Sequence, residues 1–540
     1  MGIPSYYGTL IRKIPHAIQS KVPSSNTLVV DMNCMIYHIL KEPTMMAIPY
    51  PGEQGRLSWE RKLQEEVCSY LTHIWRSSGS PGQVYIALDG VVPYAKIKQQ
   101  RFRRFKGGAL APHPMHSGAV APHPIHSGDV SSEPVWDKNS ITPGTHFMKT
   151  MGSRLREAGK KHGWIISDTD EPGEGEHKVL QWLLKTKLNA GAIVVYGLDA
   201  DLILLCLIAG EKLGPTYPIY LLREAMAFGK LVRLEGSENV NLCFFQIDTL
   251  KKSLERGVEW SREQFYDYIF GMSFCGNDFL PTGLSLRIRD EGHSILLSGL
   301  QELWIKGKHL IFIDPDGIVR PHKDGLKFFA IWMSRQEERL MIQTIRRKMS
   351  ARPGENEQDN IAILEQAERP LIQEGSDNQI FMRKNWISIY CKLALGEDSV
   401  EQRHSRVSEF WKGWCWILDY YQGRPVDLEW VYPGGYPPSW SDLVRFFELP
   451  ESDDWQIRDS LKPQEQLALV LPLSSWGLLL NTPFRSLPAI LPQFWPQGFH
   501  LETFGKRFGW ECEPMIPMLS PARLRFTLLK MDIQTQSLQN

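Results

Sequence analysis

Several features that would assign a class at once are missing from this sequence. No apolar run reaches the ~18 residues that a membrane-spanning helix needs, which excludes ordinary transmembrane segments. The first residues, MGIPSYYGTLIRKIPH, have neither the apolar core nor the small-residue cleavage site of a secretory leader. Gly2 does not make a myristoylation site, because Tyr6 stands where Ser or Thr is required. The cysteines are few, 8 in all, and none form a CxxC pair. That argues against a disulfide frame or a zinc site and suits reduced, mostly buried thiols in the cytoplasm or, as the alternative, the nucleus. Neither charge dominates: 61 Lys and Arg face 61 Asp and Glu. With no general basic field, an enzyme acting on nucleic acid needs its cations gathered locally.

Apolar residues are plentiful. Hydrophobic residues make up 42% and aromatics 11%, enough for a large ordered core. A chain of 540 residues predicts two or more compact units. The organising stretch is AIVVYGLDADLILLCLIAG, residues 192–210. Its Ile- and Val-rich start, broken by Gly197, predicts a strand buried on both faces. Asp199 and Asp201 follow, at the carboxyl edge where α/β folds place ligands.

The pattern recurs. LVV runs into Asp31, VYIAL into Asp89, and WII into Ser167-Asp168 and then Glu174 and Glu176. If these four runs lie parallel in one sheet, their carboxylates converge on one edge. Such a cluster repels itself unless cations neutralise it. Hard, oxygen-seeking Mg²⁺ or Mn²⁺ is the natural counter-charge. Glu174 and Glu176 converge only if Glu174 is still in the loop before the helix that Pro172 and Gly173 open. A further acid, Asp278, follows a Gly-broken aromatic helix and is a weaker candidate for the same cluster.

Directly after Asp89 comes VVPYAKIKQQRFRRFKGG. Past Pro93 it should be helical, with Lys96, Gln100, Arg103 and Arg104 on one broad face. Three cations and an amide rooted at an acidic edge predict a phosphate-binding surface. Residues 107–135 then form a loop insertion in which APHPMHSG returns as APHPIHSG; a soft metal on its histidines is the minor alternative. The expected organisation is a nuclease-like α/β unit over 1–345, a polar linker over 346–379, a Trp- and Tyr-rich helical unit over 380–530 and a tail over 531–540.

Taken together, MGIPSYY, LVVDMN, LDGVVPYAKIKQQRFRRF, ITPGTHFM, EPGEGEHK, YGLDADLI, LLRE and GNDFLP resemble, in order and spacing, the XRN/Rat1 family of 5′→3′ exoribonucleases. GWCWILDYYQG, WVYPGGYPP and SDL resemble its second conserved region. The resemblance covers most of residues 1–530, without the long C-terminal extension typical of the large cytoplasmic members. It implies a PIN/FEN-like core with a mostly parallel sheet and a largely helical second region. It also implies two-metal-ion hydrolysis, and processive degradation of 5′-monophosphorylated single-stranded RNA to nucleoside 5′-monophosphates by a monomer. Matched by motif, the metal-binding and catalytic acids are Asp31, Asp89, Glu174, Glu176, Asp199, Asp201 and Asp278. The 5′-phosphate pocket maps to Lys96, Gln100, Arg103 and Arg104. The family's base-stacking His is replaced by Tyr37, with His38 beside it; Trp416 or Trp430 is the expected partner across the base. Two alternatives stay open: a FEN-like DNA or flap nuclease, and an inactive RNA-binding member.

Overall fold

The computed structural model describes residues 2–21, 24–109, 119–120, 134–227, 230–231, 240–352, 363, 365–375, 379–450, 455–479 and 482–539. The two His-Pro repeats lie outside the described residues.

The four acid-ended runs are strands of one sheet. Ser25–Asp31 pairs in parallel with Gln83–Ala87 on one side and Ala192–Tyr196 on the other. Ile165–Ser167 and Ile219–Glu224 extend the parallel set outward, and Leu242–Gln246 and Ile18–Gln19 close one side antiparallel. Parallel neighbours need long crossovers, supplied here by the helices Arg56–Ser77, His146–His162, Gly175–Lys185 and Leu202–Leu213. The ITPGTHFM turn works as a helix start: Thr145 caps His146–His162 by accepting from the Met148 amide, and Gly163 ends it in the left-handed conformation.

Helices cover both faces, so the central strands are apolar on both sides. Val29, Ile193, Val195 and Leu221 point into one core, with the helices Gly175–Lys185 and Leu202–Leu213. Leu28, Val30, Val194 and Tyr196 point into the other, with Asn33–Ile39, Arg56–Ser77 and His146–His162. This is the period-two alternation of a strand, with both phases apolar.

The second region is not a separate body. Its 22-residue helix Val400–Tyr421 sends Trp411, Trp414 and Trp416 into the first core, where Phe274 stacks on Trp414 and meets Trp411 edge-on. The expected boundary at 345/346 falls inside one continuous helix, Lys323–Met349. Part of the expected linker is packed: Leu371 and Ile372 are buried beside Met382, where Ile372–Glu374 pairs with Ile380–Met382. Among the described residues no helix is long and apolar enough to cross a membrane. Six of the eight cysteines are buried, the other two are half-buried, and all are unpaired.

Candidate active site

The sheet's carboxyl edge gathers all seven predicted acids. Asp31 ends its strand and is buried; burial, then the charges of Asp89 and Asp199, push its carboxyl well up. Asp89 is fixed from two sides: the Gly175 amide donates to Oδ1 at 2.7 Å and Asn33 Nδ2 to Oδ2 at 2.8 Å. Gly175 is required there, since a β-carbon would overlap Asp31 Oδ1. Glu174 has extended backbone (φ −71°, ψ 146°) just before the Gly175–Lys185 helix, and Glu176 lies in its first turn. The loop position of Glu174 is what lets the two converge. Asp201 immediately precedes the Leu202–Leu213 helix, and Asp278 follows Gly276, whose φ of 84° turns the chain into the site. One oxygen each of Glu176, Asp199 and Asp201 lies within 4.8 Å of the others, as do atoms of Glu174, Glu176 and His177. Asp168, the acid directly after the third strand, points elsewhere and pairs with Arg156.

The electrostatics call for cations. Burial, then Asp201, pushes Glu176 well up; burial, then Asp278 and Asp199, pushes Asp201 up to about 6. Burial pushes Glu174 up to about 7 against the pull of Lys96. Glu176 Oε2 and Asp201 Oδ1 are buried without a hydrogen-bond partner. Orphaned carboxylate oxygens in a ring of hard oxygen donors suit a divalent ion such as Mg²⁺ or Mn²⁺. Asp89 and Asp199 are only half-buried, so the cluster opens on their side.

Lys96 departs from its expected place. It leaves the helix Tyr94–Ala109 for the acids, at 2.5 Å from Glu174 Oε2 and 2.6 Å from Asp278 Oδ2. A buried ammonium goes where two carboxylates offset its desolvation. Gln99, missed in the sequence, donates to Asp278 Oδ1. Gln100, Arg103 and Arg104 stay on the face beside the cluster. Arg103 is exposed; Gln100 Oε1 and Arg104 Nη1 are buried without partners, and burial lowers Arg104 to about 10.

The stacking residues separate. Tyr37 is half-buried, near enough to Arg104 to act on its charge. His38 is buried, its ring 4.8 Å from Tyr70 and Nε2 3.5 Å from Glu42, which leaves no open face for a base. The two tryptophans are also corrected. Trp416 is 0% exposed and donates to the Asp427 carbonyl at 2.8 Å; Trp430 is 5% exposed and donates to Glu409 at 3.0 Å. Both are core residues, packed on each other at 5.5 Å.

Three other contributors were missed. Lys178 donates to the carbonyls of Leu88 and Asp168, tying together the chain just past two strand ends; its place four residues after Glu174 was the available signal. Gly2 lies against Asp201 so closely that a β-carbon would overlap it, and nothing in the sequence announces that. Tyr420 Oη donates to Glu174 Oε1 at 3.1 Å across 246 positions of chain.

Comparison with known proteins agrees with this geometry. A sequence profile described as "XRN 5'-3' exonuclease N-terminus" matches residues 1–225, and one described as "Xrn1 helical domain" matches 343–539. The chain is 24% identical to 5'-3' exoribonuclease 2 of Arabidopsis thaliana, over 97% of itself and 66% of that protein. It is 23% identical to 5'-3' exoribonuclease 1 of Saccharomyces cerevisiae, over 97% of itself and 43% of that protein. With 5'-3' exoribonuclease 1 of Homo sapiens the identity is 24%, over 97% of the chain and 34% of the relative. It thus spans from about a third to about two thirds of these relatives. With both profiles of the family matched, over residues 1–225 and 343–539, the chain belongs to the XRN family of 5′→3′ exonucleases.

Proposed function

We propose that this protein is a 5′→3′ exoribonuclease that removes nucleoside 5′-monophosphates, one at a time and processively, from single-stranded RNA bearing a 5′-monophosphate. The observation that supports the reading best is an adjacency: a ring of carboxylates in which Glu176 Oε2 and Asp201 Oδ1 are buried without a hydrogen-bond partner, and beside it a helix face with the exposed Arg103 and with Arg104, whose Nη1 is likewise unpaired. The first has the chemistry to hold cations and the second to hold a phosphate. Asp31, Asp89, Glu174, Glu176, Asp199, Asp201 and Asp278 are the residues to hold two Mg²⁺ or Mn²⁺ ions. Divalent ions bound there would activate water at neutral pH and neutralise charge on the scissile phosphate.

The chain's own residues decide which bond is cut. Arg103, Arg104 and Gln100 bind the terminal phosphate, which carries nearly two negative charges; an internal diester carries one and has a second ester arm. The scissile diester then always lies one nucleotide in. Water adds to its phosphorus, the bond to the 3′ oxygen of the first nucleotide breaks, and that oxygen takes a proton. The shortened RNA keeps the phosphate, so each turn recreates the group that the helix face binds. Tyr37, half-buried beside Arg104, is our candidate to stack on the first base.

The test is the initial rate on matched oligonucleotides, 5′-phosphate RNA, 5′-hydroxyl RNA and 5′-phosphate DNA, with Mg²⁺ or EDTA at one fixed salt concentration. Wild type should prefer phosphorylated RNA and stop in EDTA. Arg103→Ala or Arg104→Ala should slow that substrate about 10- to 100-fold, the worth of one charge-assisted hydrogen bond, and leave the hydroxyl substrate nearly unaffected. Equal slowing of both would make these residues general backbone binders.

A further inference from the structure

All seven acids belong to the first 278 residues, yet the groups that pack over two of them come from the end of the Val400–Tyr421 helix. Glu174 is held by both oxygens: Lys96 takes Oε2 at 2.5 Å and the Tyr420 hydroxyl takes Oε1 at 3.1 Å. The Tyr420 ring is itself pinned, stacked on Trp416 at 4.6 Å and lying 3.9 Å from the His177 ring. Its hydroxyl therefore has little freedom to follow Glu174; the carboxylate conforms to the tyrosine.

Tyr421 is 1% exposed, and its hydroxyl has no hydrogen-bond partner. The charges acting most strongly on it are those of Asp201 and Glu176. These are the same two acids that carry orphaned oxygens, Asp201 Oδ1 and Glu176 Oε2. The Tyr421 ring lies 5.6 Å from that of His177, which is clustered with Glu174 and Glu176, and a buried O–H donor and buried acceptors left unpaired each cost free energy that pairing recovers. A carboxylate that gives one oxygen to a cation needs its other oxygen fixed, and donors in that role hold ligand orientation.

We propose that Tyr420 and Tyr421 are positioning residues of the metal site, Tyr420 orienting Glu174 and Tyr421 orienting Glu176 or Asp201, so that the helical second region completes a site whose acids all come from the first. This rests on the divalent-ion reading of the acid cluster. It goes beyond that reading by making the helical region a direct determinant of metal affinity rather than a scaffold.

Tyr420→Phe and Tyr421→Phe keep the rings and remove only the hydroxyls. The probe is Mn²⁺ alone, titrated into the full chain without RNA and followed by the paramagnetic resonance signal of free Mn²⁺. Each variant should bind Mn²⁺ about tenfold more weakly, at the low end of what loss of a ligand-orienting partner costs. In assays, kcat should fall at limiting Mn²⁺ and return towards wild type at saturation, with KM for 5′-phosphorylated RNA unchanged. Wild-type Mn²⁺ affinity in both variants overturns the inference, whatever happens to their melting temperatures, because the hydroxyls then serve packing only. A wild-type protein that takes up no Mn²⁺ overturns the metal assignment and this inference with it, so the two failures are told apart by the first titration.

Discussion

The helix Tyr94–Ala109 carries six cationic residues and uses them in two opposite ways. One side braces the molecule. Lys98 donates to the carbonyls of Tyr432 and Gly434, Lys106 to those of Trp510 and Cys512, and Arg101, fully buried, to those of Leu469 and Phe494. The other side works on charge: Lys96 lies between carboxylates, and Arg103 and Arg104 face the space beside them. Arg101 is five residues from Lys96, about 140° round the helix, which is enough to turn the same kind of side chain from a catalytic edge into a core. The difference teaches that a cationic run has no function until its partners are known. Neutral carbonyls make it a clamp, and carboxylates make it part of a cluster.

The comparison breaks most visibly at the acids that the working side faces. Asp199→Ala and Asp201→Ala should each cut turnover at saturating Mg²⁺ by roughly a thousandfold or more, since several kcal/mol of transition-state stabilisation depends on the metals. RNA binding should persist. Melting temperature in EDTA should hold or rise for Asp201→Ala, whose carboxyl burial and then Asp278 and Asp199 push up, and fall for Asp199→Ala, whose carboxyl Lys96 and Arg103 hold down against its burial. Turnover near wild type in both variants would remove these acids from the mechanism.

The bracing side should answer in the opposite currency. Arg101→Met keeps much of the apolar stem but removes the guanidinium, which lies 4.3 Å over the Phe105 ring, and leaves the Leu469 and Phe494 carbonyls without their donor. Hydrogen bonds to a charged group contribute about 1.5–3 kcal/mol, so denaturant titration should show a loss of that size. The preference for 5′-phosphate over 5′-hydroxyl RNA should not move. If the preference fell while stability held, the division of the helix into two sides would be wrong.

How much of this was legible depended on whether the signal was local. The sheet edge could be read because buried parallel strands are unbroken apolar runs and each hands its acid to the same side; Asp31, Asp89, Asp199 and Asp201 follow from that alone. The loop position of Glu174 followed from helical geometry. Partners distant in sequence could not be read. His38 looks free until Tyr70, from the helix Arg56–Ser77, covers its ring. Trp416 and Trp430 look like platforms until their own mutual packing and the chain around them bury both. Nothing in GWCWILDYY says that Tyr420 meets Glu174, 246 residues earlier.

The smallest expected effect, and the sharpest contrast between the two sides of the helix, concerns pH. The carbonyls under Arg101 and Lys98 do not titrate, whereas the acids around Lys96 do. Burial pushes Glu174 up to about 7 and Asp201 up to about 6, above the ordinary carboxyl range near about 4. A raised folded value means that the native state keeps protons which the unfolded chain has already released. Stability from this source is therefore fully present below about pH 4 and is lost as pH rises through 6 to 7. In EDTA the melting temperature should fall by a few degrees across that window. In Mg²⁺ the fall should vanish or reverse, because an ion that takes the place of the protons binds better as they leave. Asp201→Asn should flatten the EDTA slope, since the amide has no proton to lose in this range. Arg101→Met should lower the whole curve without changing its slope. A flat wild-type profile in EDTA would mean that the acids share their charge with solvent, and the cluster's need for cations would lose its support.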